Sequence, residues 1–279
     1  MKLKELMVKD AVGVNLPGNR TDVLRLLVSK NLTGVPVITE DRKLSGFVTR
    51  QDIYAKPDEE QLALVMRKDY PTLGPNDSIE EGARLMLAQD LHHLPIVQKD
   101  KLVGIVTPAD YLSVIEKLEL ERPIEDFVRT PCVPVYEGSP LAVVDTVFKV
   151  GSVVAAPVLD DEGVLTGIVT DRDLFKHSDV DGHTAVADLG IGDDENAWTW
   201  EGLRNVMKLY YEVKQIKLPK IPVRDVMVSD PVTIFRKTSV SEAARLMRKH
   251  DFGQLPIRNS DDRLIAMIYE LDLLAAIEE

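Results

Sequence analysis

One pattern recurs four times along this chain, and a recurrence at a regular period constrains the fold more than any single motif can. The four copies are Leu44-Ser45-Gly46-Phe47-Val48-Thr49-Arg50-Gln51-Asp52, Leu102-Val103-Gly104-Ile105-Val106-Thr107-Pro108-Ala109-Asp110, Leu165-Thr166-Gly167-Ile168-Val169-Thr170-Asp171-Arg172-Asp173 and Leu264-Ile265-Ala266-Met267-Ile268-Tyr269-Glu270-Leu271-Asp272. Their aspartates lie 58, 63 and 99 residues apart, so the last interval holds about one repeat plus an insertion of roughly forty residues. Fifteen or sixteen residues before each aspartate stands a shared proline, in Val35-Pro36-Val37, Leu94-Pro95-Ile96, Ala156-Pro157-Val158 and Leu255-Pro256-Ile257.

Helix-start signals precede these prolines. Ser78-Ile79-Glu80-Glu81 and Ser239-Val240-Ser241-Glu242 fit the capping box, Ser139 precedes a proline expected at the first helical position, and Asn19 with Asp22 is the first repeat's version. Apolar residues then follow at helical spacing: Val23, Leu26 and Leu27; Ala83, Met86 and Leu87; Ala243, Leu246 and Met247. Short strand-like runs lie upstream, at Val12-Gly13-Val14, Pro71-Thr72-Leu73, Val133-Pro134-Val135 and Val232-Thr233-Ile234. Each unit therefore reads strand, helix, strand, strand, helix, after a short helical lead-in such as Leu3–Met7 or Val223–Met227. A unit this small has too little core to stand alone, so the repeats are expected to pack in pairs, one with two and three with four.

The segment 178–220 interrupts the period. It reads as an acidic, Gly-containing loop (Asp179, Asp181, Asp193, Asp194, Glu195) followed by a helix from about Trp200 to Ile216. Leu203, Val206, Met207, Tyr210 and Val213 would share one face of that helix. A linker helix packed on the body is the expectation, with a partner-docking helix as the other reading.

The 279 residues carry 34 basic and 46 acidic side chains, a formal charge of −12, which argues against nucleic acid as the main partner. A local phosphate site remains compatible with that charge. No apolar run approaches the ~20 residues that span a bilayer, and the N-terminus has no signal-peptide pattern. Together with a single cysteine, Cys132, this leads us to expect a cytoplasmic protein without membrane association. There is no Walker-A loop, Gly-x-Ser-x-Gly elbow or His-Glu-x-x-His, and Cys132 reads as an inert thiol, so no enzyme activity is expected.

The repeated Gly-Ile/Phe-Val-Thr-x-x-Asp, intact three times, with its upstream proline and capped helix, resembles the CBS domain family in its paired form, the Bateman module. The layout is similar to that of stand-alone archaeal proteins with four CBS repeats and no catalytic domain. The resemblance implies an α+β fold of four βαββα repeats packed as two pseudo-twofold modules. It places repeat boundaries at 1–58, 59–120, 121–177 and 221–279, with 178–220 as the insertion. It further implies a regulatory sensor that binds AMP, ADP, ATP or S-adenosylmethionine in clefts between paired repeats, with no catalytic cofactor and no metal. A regulated enzyme and a homodimer are the partners this leaves room for. The alternative is a ligand-free scaffold or interaction protein that regulates a partner enzyme.

The residues themselves allow two readings of Thr-x-x-Asp after a strand. It is a helix cap, and a capped helix start still presents N–H groups and a positive dipole end to a phosphate. The aspartate can accept from both hydroxyls of a ribose. By resemblance, ribose would go to Asp52, Asp110, Asp173 and Asp272, and phosphate or sugar contacts to Thr49, Thr107 and Thr170. Adenine would slot beside the proline elements, with Val35, Leu94, Ala156 or Leu255 as apolar walls and Pro36, Pro95 and Pro157 beside them. Arg50 and Arg172 read either as phosphate clamps or as solvated helix residues. His92 and His93 read as ordinary helix-end residues or as a pH-sensitive phosphate contact. Repeat four, with Tyr269 for threonine and Ala266 for glycine, ranks last for phosphate.

Overall fold

The computed structural model describes the chain except residues 31, 57, 58, 178, 188–208, 262 and 279, with backbone only for 28, 54, 175, 179–187 and 209–217. In repeat one, β1 (Val14–Asn15) runs parallel to β2 (Gly34–Ile38), which pairs antiparallel with β3 (Leu44–Thr49); α1 (Arg20–Ser29) and α2 (Arg50–Ala55) complete the unit. Repeat two repeats this plan with α3 (Ile79–Gln89), β4 (Leu94–Gln98), β5 (Lys101–Val106) and α4 (Pro108–Lys117), and its first strand shrinks to one parallel bridge, Leu73 to Ile96. Repeat three supplies β6 (Val135–Tyr136), α5 (Leu141–Gly151), β7 (Ala155–Leu159), β8 (Leu165–Thr170) and α6 (Asp171–Lys176). After the insertion, repeat four supplies β11 (Ile234–Phe235), α7 (Val240–His250), β12 (Gln254–Arg258), β13 (Leu264–Tyr269) and α8 (Glu270–Leu273), prolonged by a 3₁₀ turn over Leu274–Ile277.

The helix-start signals work as their chemistry requires. Ser78 and Ser239 accept from the N–H of Glu81 and Glu242 at 3.1 and 3.2 Å, and Asn19 accepts from that of Asp22 at 2.8 Å. Repeat three departs from expectation. Pro140 is itself the cap residue of α5, with β-region backbone (φ −60°, ψ 144°), and the helix begins at Leu141. The N–H of Leu141 is bonded to the carbonyl of Ile221, so the chain of repeat four supplies that helix end with its acceptor.

Paired repeats exchange their lead-ins. The stretch after the lead-in of repeat one pairs with the sheet of repeat two, Val8 facing Ile105. That of repeat two returns the exchange, with Phe47 and Arg67 trading backbone hydrogen bonds of 2.9 and 2.8 Å. Repeat four does the same to repeat three, Val228 facing Ile168. This explains the glycine of the repeated motif. A Cβ on Gly104 would sit 2.7 Å from the Met7 sulfur and 2.9 Å from the Val8 carbonyl; on Gly167 it would meet Met227 and Val228 at 2.5 and 2.9 Å. Repeat four has Ala266 here, and the arm opposite brings the smaller Val128 where the others bring methionine; both pack against the same core.

The two modules meet through their helices, and the two halves of that interface differ. Between repeats two and four, α4 lies along α7, and α8 with its 3₁₀ turn lies against α3. Met86, Tyr111, Ile115, Met247, Leu255 and Leu274 belong to one continuous apolar core, the largest among the described residues. Between repeats one and three, α2 stops at Ala55, because Lys56 precedes Pro57 and leaves the helical region (φ −128°, ψ 66°). The shortened helix leaves a cavity of about 410 Å³, lined by Arg50, Gln51, Phe148, Lys149, Asp171 and Leu174 among others.

The insertion differs from its expected form. Asp179–Ala187 and Leu209–Lys217 form an antiparallel pair, β9 and β10, where a loop and the C-terminal half of a helix were expected. Tyr210, Tyr211, Val213 and Ile216 favour a strand once a partner strand is available. Asp193, Asp194, Glu195, Leu203, Val206 and Met207 lie outside the described residues.

If the exchanged arm holds each module together, Gly104→Ala should destabilise the protein by about 1–3 kcal/mol, since a backbone carbonyl cannot move aside as a side chain can. Urea denaturation checks this, and an unchanged midpoint would contradict the role given to the arm.

Candidate functional site

Each Thr-x-x-Asp sits where the last strand of a repeat passes into its second helix. Asp52 Oδ2 accepts from the Thr49 N–H at 2.9 Å and from its hydroxyl at 2.7 Å. Asp110 does the same with Thr107 at 2.7 and 2.9 Å, and Asp173 with Thr170 at 2.9 and 2.7 Å. The helix-cap reading is therefore realised in all three. The threonine hydroxyl hydrogens are already engaged, so none of Thr49, Thr107 or Thr170 presents a free donor to a phosphate.

What distinguishes the aspartates is the second oxygen, Oδ1. On Asp52 it accepts from Arg67 Nε at 2.8 Å. On Asp272 it accepts from the Thr130 hydroxyl at 2.9 Å, and Asp272 is only 2% exposed. Among the described residues, Oδ1 of Asp110 and of Asp173 takes no hydrogen bond. Both carboxylates are half-buried, and burial raises the Asp110 carboxyl against the hydrogen bonds from Thr107.

Several expected contacts take other roles. Val35, Leu94, Ala156 and Leu255 are at most 1% exposed, and Pro36, Pro95 and Pro157 are buried beside them, so these side chains fill the sheet cores. Arg50 is buried, donates from Nε to the Leu32 carbonyl at 2.9 Å and lies 3.6 Å from Asp171, which makes it a tie between repeats one and three. Arg172 is exposed. His93 is buried, shares a 2.8 Å hydrogen bond with Thr33 and tilts against Phe47. Burial, helped by the charges of His92 and Arg50, holds its pKa down at about 3, so it stays neutral at physiological pH and does not serve as the pH-sensitive phosphate contact. Tyr269 uses its hydroxyl to bond the Ala155 carbonyl at 3.1 Å, joining repeats three and four.

Three further residues bear on the site without a local sequence pattern that marks them. Arg67 reaches Asp52 from another repeat, and no local pattern announces a contact made through an exchanged arm. Tyr70 stacks on Phe47 with ring centroids 4.5 Å apart, and burial lifts its hydroxyl to about 12. Glu270 follows Tyr269 at the position held by Arg50, Pro108 and Asp171 in the other copies. Burial, reinforced by Asp110 and Asp251, lifts its carboxyl to about 8.

The match that decides the family is four-fold. The CBS domain family matches residues 3–58, 61–117, 124–179 and 223–279. The chain belongs to the CBS domain family. Protein MJ1225 of Methanocaldococcus jannaschii is 21% identical over 194 residues, which cover 63% of this chain and 69% of that one. The crystal structure of MJ1225, put forward as an archaeal homologue of g-AMPK, superposes with a TM-score of 0.76 at 20% identity, covering 99% and 100% of the two chains. A conserved protein of Pyrococcus horikoshii gives a TM-score of 0.67 at 25% identity and the same coverage. Inosine-5'-monophosphate dehydrogenase of M. jannaschii is 30% identical over 114 residues, 40% of this chain and 23% of that one, so CBS repeats like these also occur within an enzyme. No helix among the described residues is long and apolar enough to cross a membrane.

Glu270 makes the CBS assembly sensitive to pH. The folded protein holds its proton up to about 8, whereas the unfolded chain releases it near 4.5, so stability should fall as pH rises through that window. Glu270→Gln is expected to raise Tm at pH 8.5 by about 2–4 °C, the shift of roughly 1 kcal/mol in a chain of this size, and to change it little at pH 4.5. Equal shifts at both pH values, read by scanning calorimetry, would contradict the assignment.

Proposed function

We propose that this protein is a non-catalytic sensor that binds an adenosine-containing small molecule in its CBS clefts. The observation that carries the reading is the Oδ1 of Asp110 and Asp173, which takes no hydrogen bond among the described residues, on carboxylates whose other oxygen is fixed by a helix cap. A carboxylate oriented in this way needs no reorganisation to accept from a ribose diol. The adjoining helix starts suit the polar end of such a ligand. The nucleotides AMP, ADP and ATP and the sulfonium S-adenosylmethionine share the ribose that this chemistry recognises.

Family membership supports a regulatory role, and MJ1225, with a proposed relationship to g-AMPK, is consistent with it. The ligand signal would pass to a partner enzyme, or between two copies of the chain, through a change in how the modules pack. Burial raises the Cys132 thiol above its ordinary range, which disfavours the thiolate a cysteine nucleophile needs. A cytoplasmic setting fits this reading.

Calorimetry with AMP, ATP and S-adenosylmethionine tests it. At least one should bind and raise Tm in proportion to its concentration. Asp110→Ala combined with Asp173→Ala should weaken binding at these two clefts at least about tenfold, as expected when charge-assisted hydrogen bonds are lost, and leave any binding at Asp52 in place. Failure of the unaltered protein to bind any of the three would favour the ligand-free scaffold instead, and an unchanged stoichiometry in the double variant would contradict the role given to Asp110 and Asp173.

A further inference from the structure

The four aspartate clefts are not chemically alike, and the difference comes from the exchanged arms. In three clefts the register fixes which arm residue stands over the cleft. Arg67 faces Phe47, Val8 faces Ile105 and Val228 faces Ile168, and each of these sheet residues lies five positions before its aspartate. The same place on equivalent strands is thus held by an arginine over Asp52 and by a valine over Asp110 and Asp173. All three arm residues are at least half exposed, at 50%, 53% and 56%, so none is needed to fill the core. The arginine is engaged with the aspartate, Nε to Oδ1 at 2.8 Å, and that oxygen is the one a ribose would use.

We propose that this arm residue sets the charge of the ligand each cleft accepts. Arg67 reserves the Asp52 cleft for a phosphorylated adenosine ligand, while Val8 and Val228 leave the Asp110 and Asp173 clefts to ligands without phosphate. The inference rests on the ribose role assigned above to the aspartates. A ribose can reach Asp52 Oδ1 only if Arg67 lets go. An uncharged nucleoside then breaks an ion pair and offers the guanidinium nothing in return. A nucleotide gives the released guanidinium a phosphate, which matches its fork of donors better than a single carboxylate oxygen does. Neither valine has a counter-ion to release or a donor to offer. The fourth cleft is closed, since Asp272 is buried under Thr130 beside the buried Tyr269.

The experiment compares AMP with adenosine by titration calorimetry on the full chain. In an Asp110→Ala, Asp173→Ala background, which isolates the Asp52 cleft, AMP should bind at least about tenfold more tightly than adenosine. Arg67→Met should bring that ratio close to one, and Arg67→Lys should keep part of it. The converse uses the otherwise unaltered protein, where Val8→Arg at an exposed position should make the Asp110 cleft prefer AMP and add one AMP equivalent per chain. This arm keeps the proposal open to refutation if the multiple variant does not fold. Ratios that ignore both Arg67→Met and Val8→Arg would overturn the inference while leaving ligand binding intact. Failure of the unaltered protein to bind either compound would overturn the ribose reading and this inference with it.

Discussion

Among the described residues, three of the four arms make a close backbone contact with the sheet of the paired repeat, and the modules are organised around it. In repeats one, two and three it requires a glycine on the strand and places a methionine against it, and it commits those repeats to their partners. The arms complete the sheets of the paired repeats, so the module is the smallest complete unit. The arm also carries whatever stands just past the methionine to the rim of the partner's cleft. Packing and specificity are therefore set by adjacent residues of one short segment, Met66 for the first and Arg67 for the second.

Helix length explains why the two halves of the module interface differ. The ten residues of α4 are long enough to lie along α7, and repeats two and four share one apolar core. The six residues of α2 end ahead of Pro57, and repeats one and three are joined across a cavity by Arg50 and Asp171. Burying that pair costs desolvation, which raises the Asp171 carboxyl even though Arg50 beside it lowers it. The interface of repeats two and four gains its stability from apolar area, and that of repeats one and three relies on the Arg50–Asp171 pair beside a cavity.

Much of this was legible in the sequence, for physical reasons. The repeat unit, its order of elements and its pairing followed from glycine, proline and cap residues, whose effects are local. The aspartates were legible as helix caps for the same reason. What could not be read was anything set by a distant partner. Arg67 looks like an ordinary charged residue after Met66 until the arm exchange places it on Asp52. Val35 and Leu94 looked like pocket walls, but two-sided burial of the central strand takes them into the core. The apolar spacing of Tyr210 and Val213 suited a helix, and a facing strand at 179–187 turned the segment into β-structure instead.

The proposed function rests on a capped aspartate that offers its remaining oxygen to a ribose. A crystal structure of the protein grown with adenosine tests it most directly. The ribose hydroxyls should lie within hydrogen-bond distance of Oδ1 on Asp110 or Asp173, with the Thr107 and Thr170 caps intact. Adenosine bound elsewhere, for example in the cavity between Arg50 and Phe148, with both carboxylates untouched, would contradict it.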